Sequence, residues 1–220
     1  MSPVKERGNR TNFRLTSYLL VGRLPNRNKM SKLPTDTKSK ILDLGETLLL
    51  MKGFNGFSYA DIAESLGIKK PSIHYHFPSK CDLGLGIIAR ARQRFKKWGE
   101  SKQTAMMDDW EKLESFFHIY RYYLTKRASV CLSGVLETDF TTLPPAMQEE
   151  AKGLVWDVLT WMDNFLDEGR RKGTFSFPGS SRDQALVVLA VMRGGLQMTR
   201  VIDRSVFDSA VNQIRRLLEP

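Results

Sequence analysis

Apolar positions recur every three or four residues through most of the chain after Thr35, the period of one helix face. Ile41, Leu44, Leu48 and Met51 make the first stripe, and Gly53 and Gly56 end it. Two short helices follow, one from Ser58 to Gly67 and one from about Pro71 to Phe77. Pro78 breaks the second, and a fourth helix starts after Ser79. Beyond residue 101 the helices lengthen. Leu113, Phe116, Phe117, Tyr120 and Leu124 form one stripe, and Met147, Ala151, Leu154, Val155, Val158, Met162, Phe165 and Leu166 another. Leu186, Leu189, Met192 and Leu196 form a third, and Phe207, Ala210, Val211, Ile214 and Leu218 the last. No segment alternates with a period of two between hairpin turns, so the predicted fold class is all-α. Residues 172–179 read as a loop between two long helices, and no internal repeat is evident.

Residues 1–34 carry no sustained period and read as a disordered basic extension. Met30 stands just before the first helix and is expected to be the natural start. Residues 1–29 hold 7 basic and 1 acidic residue, so their rival reading is an arm that adds phosphate contacts.

The chain has 220 residues, 41% of them hydrophobic, which is enough for a real core. Its longest apolar run falls far short of the roughly 20 residues needed to span a bilayer, and no membrane partner is expected. Cys81 and Cys131 are too few for a disulfide framework, and the expected compartment is the reducing cytoplasm. The net charge of +10 is unevenly placed: residues 1–100 balance at +11 and residues 101–220 at −1. A basic front half on a near-neutral back half points to an anion-binding module joined to something else.

The short helices carry the most information. Ser58-Tyr-Ala-Asp61 has the spacing of a capping box. Ile62, Ala63 and Leu66 make the inward face, Gly67 suits the left-handed helix end, and Ile68 plugs the corner. Pro71 suits the first turn of the next helix, whose Ile73 and Phe77 face inward. The outer side is left with Lys69, Lys70, Ser72, His74, Tyr75 and His76, all cationic or hydrogen-bonding. Helix, glycine turn and helix in that order can place the second helix in a DNA major groove; an ordinary helical corner with a solvated face is the plainer reading.

Thr37-Lys-Ser-Lys-Ile-Leu42, Gly53-Phe-Asn-Gly-Phe-Ser-Tyr-Ala-Asp-Ile-Ala63 and Ile73-His-Tyr-His-Phe-Pro-Ser-Lys80 closely resemble the DNA-binding domain of the TetR family of bacterial repressors. The resemblance covers about residues 35–82 and is only architectural past residue 100. It implies a helix-turn-helix domain over 35–82 and a helical effector-binding and dimerisation domain over 83–220. It further implies a homodimer on a palindromic double-stranded operator and release by a small-molecule inducer. Carried over by position, Ser58 and Tyr59 would touch phosphate, Lys70, Ser72, His74, Tyr75 and His76 would form the recognition helix, and Lys80 would bind phosphate. The family usually has Tyr where His74 stands, and an imidazole reaches less far. The residue chemistry agrees: Lys69, Lys70 and Lys80 can neutralise phosphates, while Ser72, His74, Tyr75 and His76 can meet base edges.

An enzyme is the other class considered. His74 and His76 are two apart on a helix and splay about 200°, and no zinc, EF-hand or Walker spacing occurs, so no metal and no cofactor are expected. Gly84-Leu-Gly86 lies inside a helix rather than after a strand, against a dinucleotide site.

In the back half, Phe116, Phe117, Tyr120, Tyr122 and Tyr123 with His118 spread around most of their helix. Such a helix is fully buried or lines a cavity. The expected ligand is a small apolar or aromatic inducer near His118, Tyr122 and Cys131, with Trp110, Phe117 and Trp156 as further lining. Cys131 has a second reading as a redox or electrophile sensor, against that of a small buried residue. The helices of about 145–172 and 183–201 are the expected dimer contacts, the second because Val187, Val188, Leu189 and Val191 make it apolar nearly all round.

Overall fold

A computed structural model describes residues 37–125 and 130–220. The expected disordered extension, the start at Met30 and any phosphate-binding arm lie outside the described residues. The described chain is helical, with no strand. Its elements are α1 (Thr37–Lys52), α2 (Tyr59–Leu66), α3 (Lys70–His76), α4 (Lys80–Gly99), α5 (Lys102–Met106), α6 (Asp109–Thr125), α7 (Leu132–Thr138), a 3₁₀ turn (Phe140–Thr142), α8 (Pro145–Arg171), α9 (Ser181–Met198) and α10 (Ser205–Leu218). The sequence reading missed α5 and α7, which at five and seven residues are too short to show a period.

The stripe read on α1 needs rotation. Ile41, Gly45, Glu46, Leu49 and Leu50 are its buried residues, whereas Met51 is 52% exposed. The charged Glu46 therefore sits on the inward face. Arg90 and Arg94 of α4 reach it, each with one Nη 2.6 Å from a Glu46 oxygen, and Arg90 also holds Asp43 at 2.6 Å. Two guanidiniums around one buried carboxylate bind α1 to α4.

The opposite face of α4 packs on α8. Arg92 donates to Asp157 at 2.7 Å and to Glu150 at 2.8 Å. At Gly84 the Met147 side chain of α8 comes close, its sulfur 2.4 Å from where a Cβ would stand. The role of this glycine is close helix packing. Since α4 runs unbroken from Lys80, it crosses the expected boundary at residue 82 and belongs to both halves.

Phe116, Phe117 and Tyr120 of α6 are core. Phe116 stacks on Trp161 (centroids 5.4 Å apart, planes 17°), and Trp161 stacks on Phe165 (5.1 Å, 13°). Trp98 adds to the cluster at 4.7 Å from Trp161. The loop after α8 is anchored by buried Phe175 and Phe177, and the Ser176 N–H donates to the Leu218 carbonyl at 2.9 Å. Phe175 packs on Phe165 of α8 and Trp110 of α6, and the backbone bond ties the loop to the end of α10.

Candidate DNA-binding site

The sequence of α2 fixes its own start. Ser58 Oγ accepts the Ala60 N–H at 3.2 Å, and Asp61 accepts the Ser58 N–H at 2.8 Å and its hydroxyl at 2.7 Å. These bonds, with Lys52 nearby, hold the Asp61 carboxyl down from its ordinary 3.8 to about 2. The same box recurs at the start of α4, where Ser79 and Asp82 cap each other and the Asp82 carboxyl is also lowered. A carboxyl lowered by folding stabilises the folded state above its unfolded value, and that stabilisation is lost as pH falls through the folded value. We therefore expect Asp61→Ala to lower the thermal midpoint at pH 7, with the gap to wild type closing between about pH 4 and pH 2. Differential scanning calorimetry across that range checks it; a gap independent of pH would refute the capping role.

After α2 the chain turns at Gly67, whose φ of 64° is left-handed. The Ile68 N–H donates to the Ala63 carbonyl at 3.0 Å and closes the corner. Pro71 occupies the first turn of α3, and Ser72 N–H bonds the Lys69 carbonyl at 3.0 Å. Ile73 is the one buried residue of α3 and is wholly covered. Ile62, Tyr59 and Phe77 complete the small core beneath it.

Lys69, Lys70, Ser72, His74 and Tyr75 are exposed, and Tyr75 is 84% so. His76 is half-buried, its ring edge-on to Tyr75 at 5.0 Å. His74 Nδ1 lies 3.0 Å from the Pro78 carbonyl. A carbonyl only accepts, so Nδ1 carries the hydrogen and the neutral ring keeps Nε2 as an acceptor. The His74 ring also packs edge-on against Tyr59 at 4.9 Å. One side of this imidazole is thus committed to holding α3, and the other faces out.

Two expected contacts are placed differently. Tyr59 points inward: its hydroxyl donates to the Phe77 carbonyl at 2.8 Å and reaches the Ser79 carbonyl at 2.5 Å. Burial, then the nearby Asp82, push that phenol up to about 12. Its side chain ties α2 to the end of α3, and only its backbone is left to meet a phosphate, beside exposed Ser58. Lys80 also folds inward. Its ammonium donates to the Phe57 carbonyl and lies 4.4 Å from the Phe57 ring centroid and 4.6 Å from that of Phe54. Burial lowers its pKa. A long stem lets a lysine at a helix start lie over neighbouring rings instead of reaching outward.

The six residues expected around an inducer do not meet in one cavity. Trp110 and Tyr122 are twelve residues apart on one helix, about 18 Å. Trp110 packs edge-on against Phe175 at 5.0 Å and borders an open cleft of about 540 Å³ with Asp109, Lys112, Glu168 and Lys172. Phe117 is fully buried, whereas His118, its neighbour and so about 100° away, is exposed. Tyr122 is half-buried beside Tyr123. Cys131 caps α7 from a buried position, and Trp156 is 56% exposed on α8 under the Arg182 guanidinium. Periodicity tells which face of a helix turns inward, and the residues on that face serve several different contacts.

Among the described residues no group of three His, Cys, Asp or Glu is placed to hold a metal ion, and no helix is long and apolar enough to cross a membrane. The family model described as "Bacterial regulatory proteins, tetR family" matches residues 41–85, the segment that builds this site. A TetR-family transcriptional regulator from Agrobacterium tumefaciens superposes over 82% of this chain and 97% of its own, with a TM-score of 0.76 and 26% identity.

This chain belongs to the TetR family of transcriptional regulators.

A TetR regulator from Legionella pneumophila gives a TM-score of 0.74 at 28% identity, covering 84% of this chain and 98% of that one. The transcriptional repressor NemR of Escherichia coli K12 is 22% identical over 162 residues, spanning 72% of this chain and 81% of NemR. TetR-family proteins bind operator DNA and act as dimers, and they are regulators rather than enzymes. The TetR matches thus cover both the helix-turn-helix segment and, through the solved structures, the helical remainder.

Proposed function

We propose that this TetR-family regulator is a ligand-responsive repressor that holds a palindromic operator as a homodimer and lets it go when a small molecule binds among its C-terminal helices. The observation that carries this reading is the outer face of α3. It buries one side chain, Ile73, and leaves Lys69, Lys70, Ser72, His74 and Tyr75 to solvent. Two such helices about 34–36 Å apart would enter successive major grooves. The lysines would supply the salt-dependent phosphate term, and Tyr75 and His74 Nε2 the base contacts. Selection of bound sequences from random duplex DNA tests the proposal: a palindrome is expected, and a selection that converges on nothing would refute it.

Tyr75→Ala separates reading from holding. The side chain is almost bare, so the fold should be unaffected. Operator affinity should fall about tenfold or more, since a base contact contributes about 1–3 kcal/mol, while affinity for random DNA stays within twofold. Fluorescence anisotropy on both duplexes at fixed salt checks it, and an unchanged ratio would place recognition elsewhere.

The pairing surface in this proposal is the outer side of α8 and α9. Trp156, Leu186, Val187 and Met198 are exposed there, and Gly194 has open space around it. Release would pass through α4, which is salt-bridged to α8 at Arg92 and to α1 at Arg90 and Arg94. An inducer works by preferring the state that does not fit DNA.

The thiol reading of Cys131 fares less well. Its sulfur takes the Gly134 N–H at 3.4 Å and contacts Ser133 Oγ at 3.3 Å, and burial raises its pKa. A buried neutral thiol is a poor nucleophile. Native protein treated with iodoacetamide should label at half-buried Cys81 before Cys131, as peptide mass mapping would show.

A further inference from the structure

Three buried side-chain nitrogens lack a hydrogen-bond partner among the described residues: Arg90 Nε, Arg193 Nε and Arg193 Nη2. Arg90 spends both of its Nη groups on Asp43 and Glu46, so one stray N–H there belongs to a filled network. Arg193 is different. Nε and Nη2 form one edge of the guanidinium, with two N–H bonds running parallel, the edge that meets both oxygens of a carboxylate. That whole edge is buried and unpartnered. Nη1, on the far side, holds Glu137 Oε1 at 3.3 Å. A buried donor without an acceptor destabilises the fold, and two on one edge call for a matching pair of acceptors.

The surroundings suit a ligand with an apolar body. Arg193 lies on α9 within electrostatic reach of buried Tyr120 on α6 and of Cys131 at the start of α7. A Cβ at Gly134 of α7 would stand 3.4 Å from Cys131 Sγ and Val130 Cγ2 and 3.8 Å from Gln197 Nε2 of α9, so no more than a methyl-sized gap lies beside that glycine. Glu137 lies in the last turn of α7. Two residues on, the Asp139 carboxylate accepts the Phe54 N–H at 2.6 Å, in the turn between α1 and α2. Asn55 in the same turn donates to Thr142 Oγ1 at 2.8 Å. One short helix therefore joins Arg193 to the backbone that carries α2.

We propose that the unpartnered edge of Arg193 anchors the carboxylate of a small aromatic or aliphatic acid, and that α7 relays its arrival to the Phe54 turn. This rests on the reading of the chain as a ligand-responsive regulator and names the ligand class. A second carboxylate on the guanidinium shares its charge with Glu137, loosens that pair and frees α7 to shift. Asp139 moves with it, and so does the turn that sets α2 and α3.

The test uses the full chain with acetate, hexanoate, benzoate and phenylacetate, each beside its primary amide at matched ionic strength. Thermal midpoint and affinity for the selected operator are read on the same samples. At least one acid should raise the midpoint saturably and weaken operator binding, and its amide should do neither. Arg193→Lys keeps the charge on Glu137 but lacks the two-nitrogen edge, and should raise the half-saturating acid concentration at least tenfold. Arg193→Gln should abolish the response, with circular dichroism confirming the fold of both variants. Acids and amides acting alike, no response to any acid, or a response surviving both substitutions would overturn the proposal. So would a weakened dimer in Arg193→Lys without any acid dependence, since the edge would then meet a carboxylate of the second copy. If operator is held but no acid acts, this inference falls and the regulator reading stands. If no DNA is held, that reading falls, and the midpoint shifts still decide the acid site.

Discussion

Val187→Asp is expected to turn the proposed dimer into monomers and to weaken operator binding by about 10²-fold or more, because each head would then bind its half-site alone. Val187 is 44% exposed on α9, beside Leu186 at 49%, and Met198 three turns on is 50% exposed. On a single chain this is a contiguous apolar strip. Two-fold symmetry would bring the strip against its own copy, so one substitution places two carboxylates in the same apolar contact. A buried unpaired charge is among the most destabilising changes an interface can receive. Sedimentation velocity at micromolar protein reads the assembly, and anisotropy on the selected operator reads the consequence. Lys102→Asp, exposed on α5 and off both pairing helices, should leave both unchanged. A dimer that survives Val187→Asp would move the contact off α9, and the spacing of the two heads would then need a different pairing surface to set it.

How much of this was readable beforehand depends on the kind of signal. The head was legible because its chain is punctuated by residues whose backbone chemistry is local. Ser58 and Asp61 cap α2, Gly67 turns the corner, Pro71 opens α3 and Pro78 closes it, and each appears where the sequence places it. The same local rules would also have found the Ser79–Asp82 box, which has the spacing of the first. Side-chain direction was not legible. Tyr59 and Lys80 have long side chains with polar tips, and whether the tip faces water or a neighbouring carbonyl is settled by helices distant in sequence. The six residues expected around an inducer are scattered for a related reason. Aromatic density on α6 reported a packed core against Trp98, Trp161 and Phe165. The unpartnered edge of Arg193 leaves no trace in hydropathy at all, since its meaning lies in what does not touch it.

Glu46 was missed, yet it had a signal: a carboxylate between Ile41 and Leu49–Leu50 on an apolar helix face must find cations. Arg90 and Arg94, one turn apart on α4, are their complement. Glu46→Gln keeps the shape and one acceptor but removes the charge that both guanidiniums share. Arg94 has no other carboxylate among its ion pairs, whereas Arg90 keeps Asp43. Stranding one half of a buried ion pair costs about 3–5 kcal/mol when burial is complete. The arginine side chains are 22% and 21% exposed, so the lower end, about 3 kcal/mol, is expected. Urea denaturation should show the midpoint falling at an unchanged slope. In an Arg94→Met background the same substitution should destabilise by clearly less, and the difference between the two backgrounds is the coupling through Arg94. A change below about 1 kcal/mol in wild type would mean that water already screens the cluster, as it does for surface pairs. The connection matters beyond stability. Arg90 and Arg94 add to the grip that Leu83 and Ile87 of α4 take on α1 at Gly45, so a head loosened from α4 should keep its α3 chemistry and couple less to the C-terminal helices. Operator binding by Glu46→Gln, measured well below its unfolding midpoint, should therefore persist while becoming less responsive to any ligand that releases the wild-type protein.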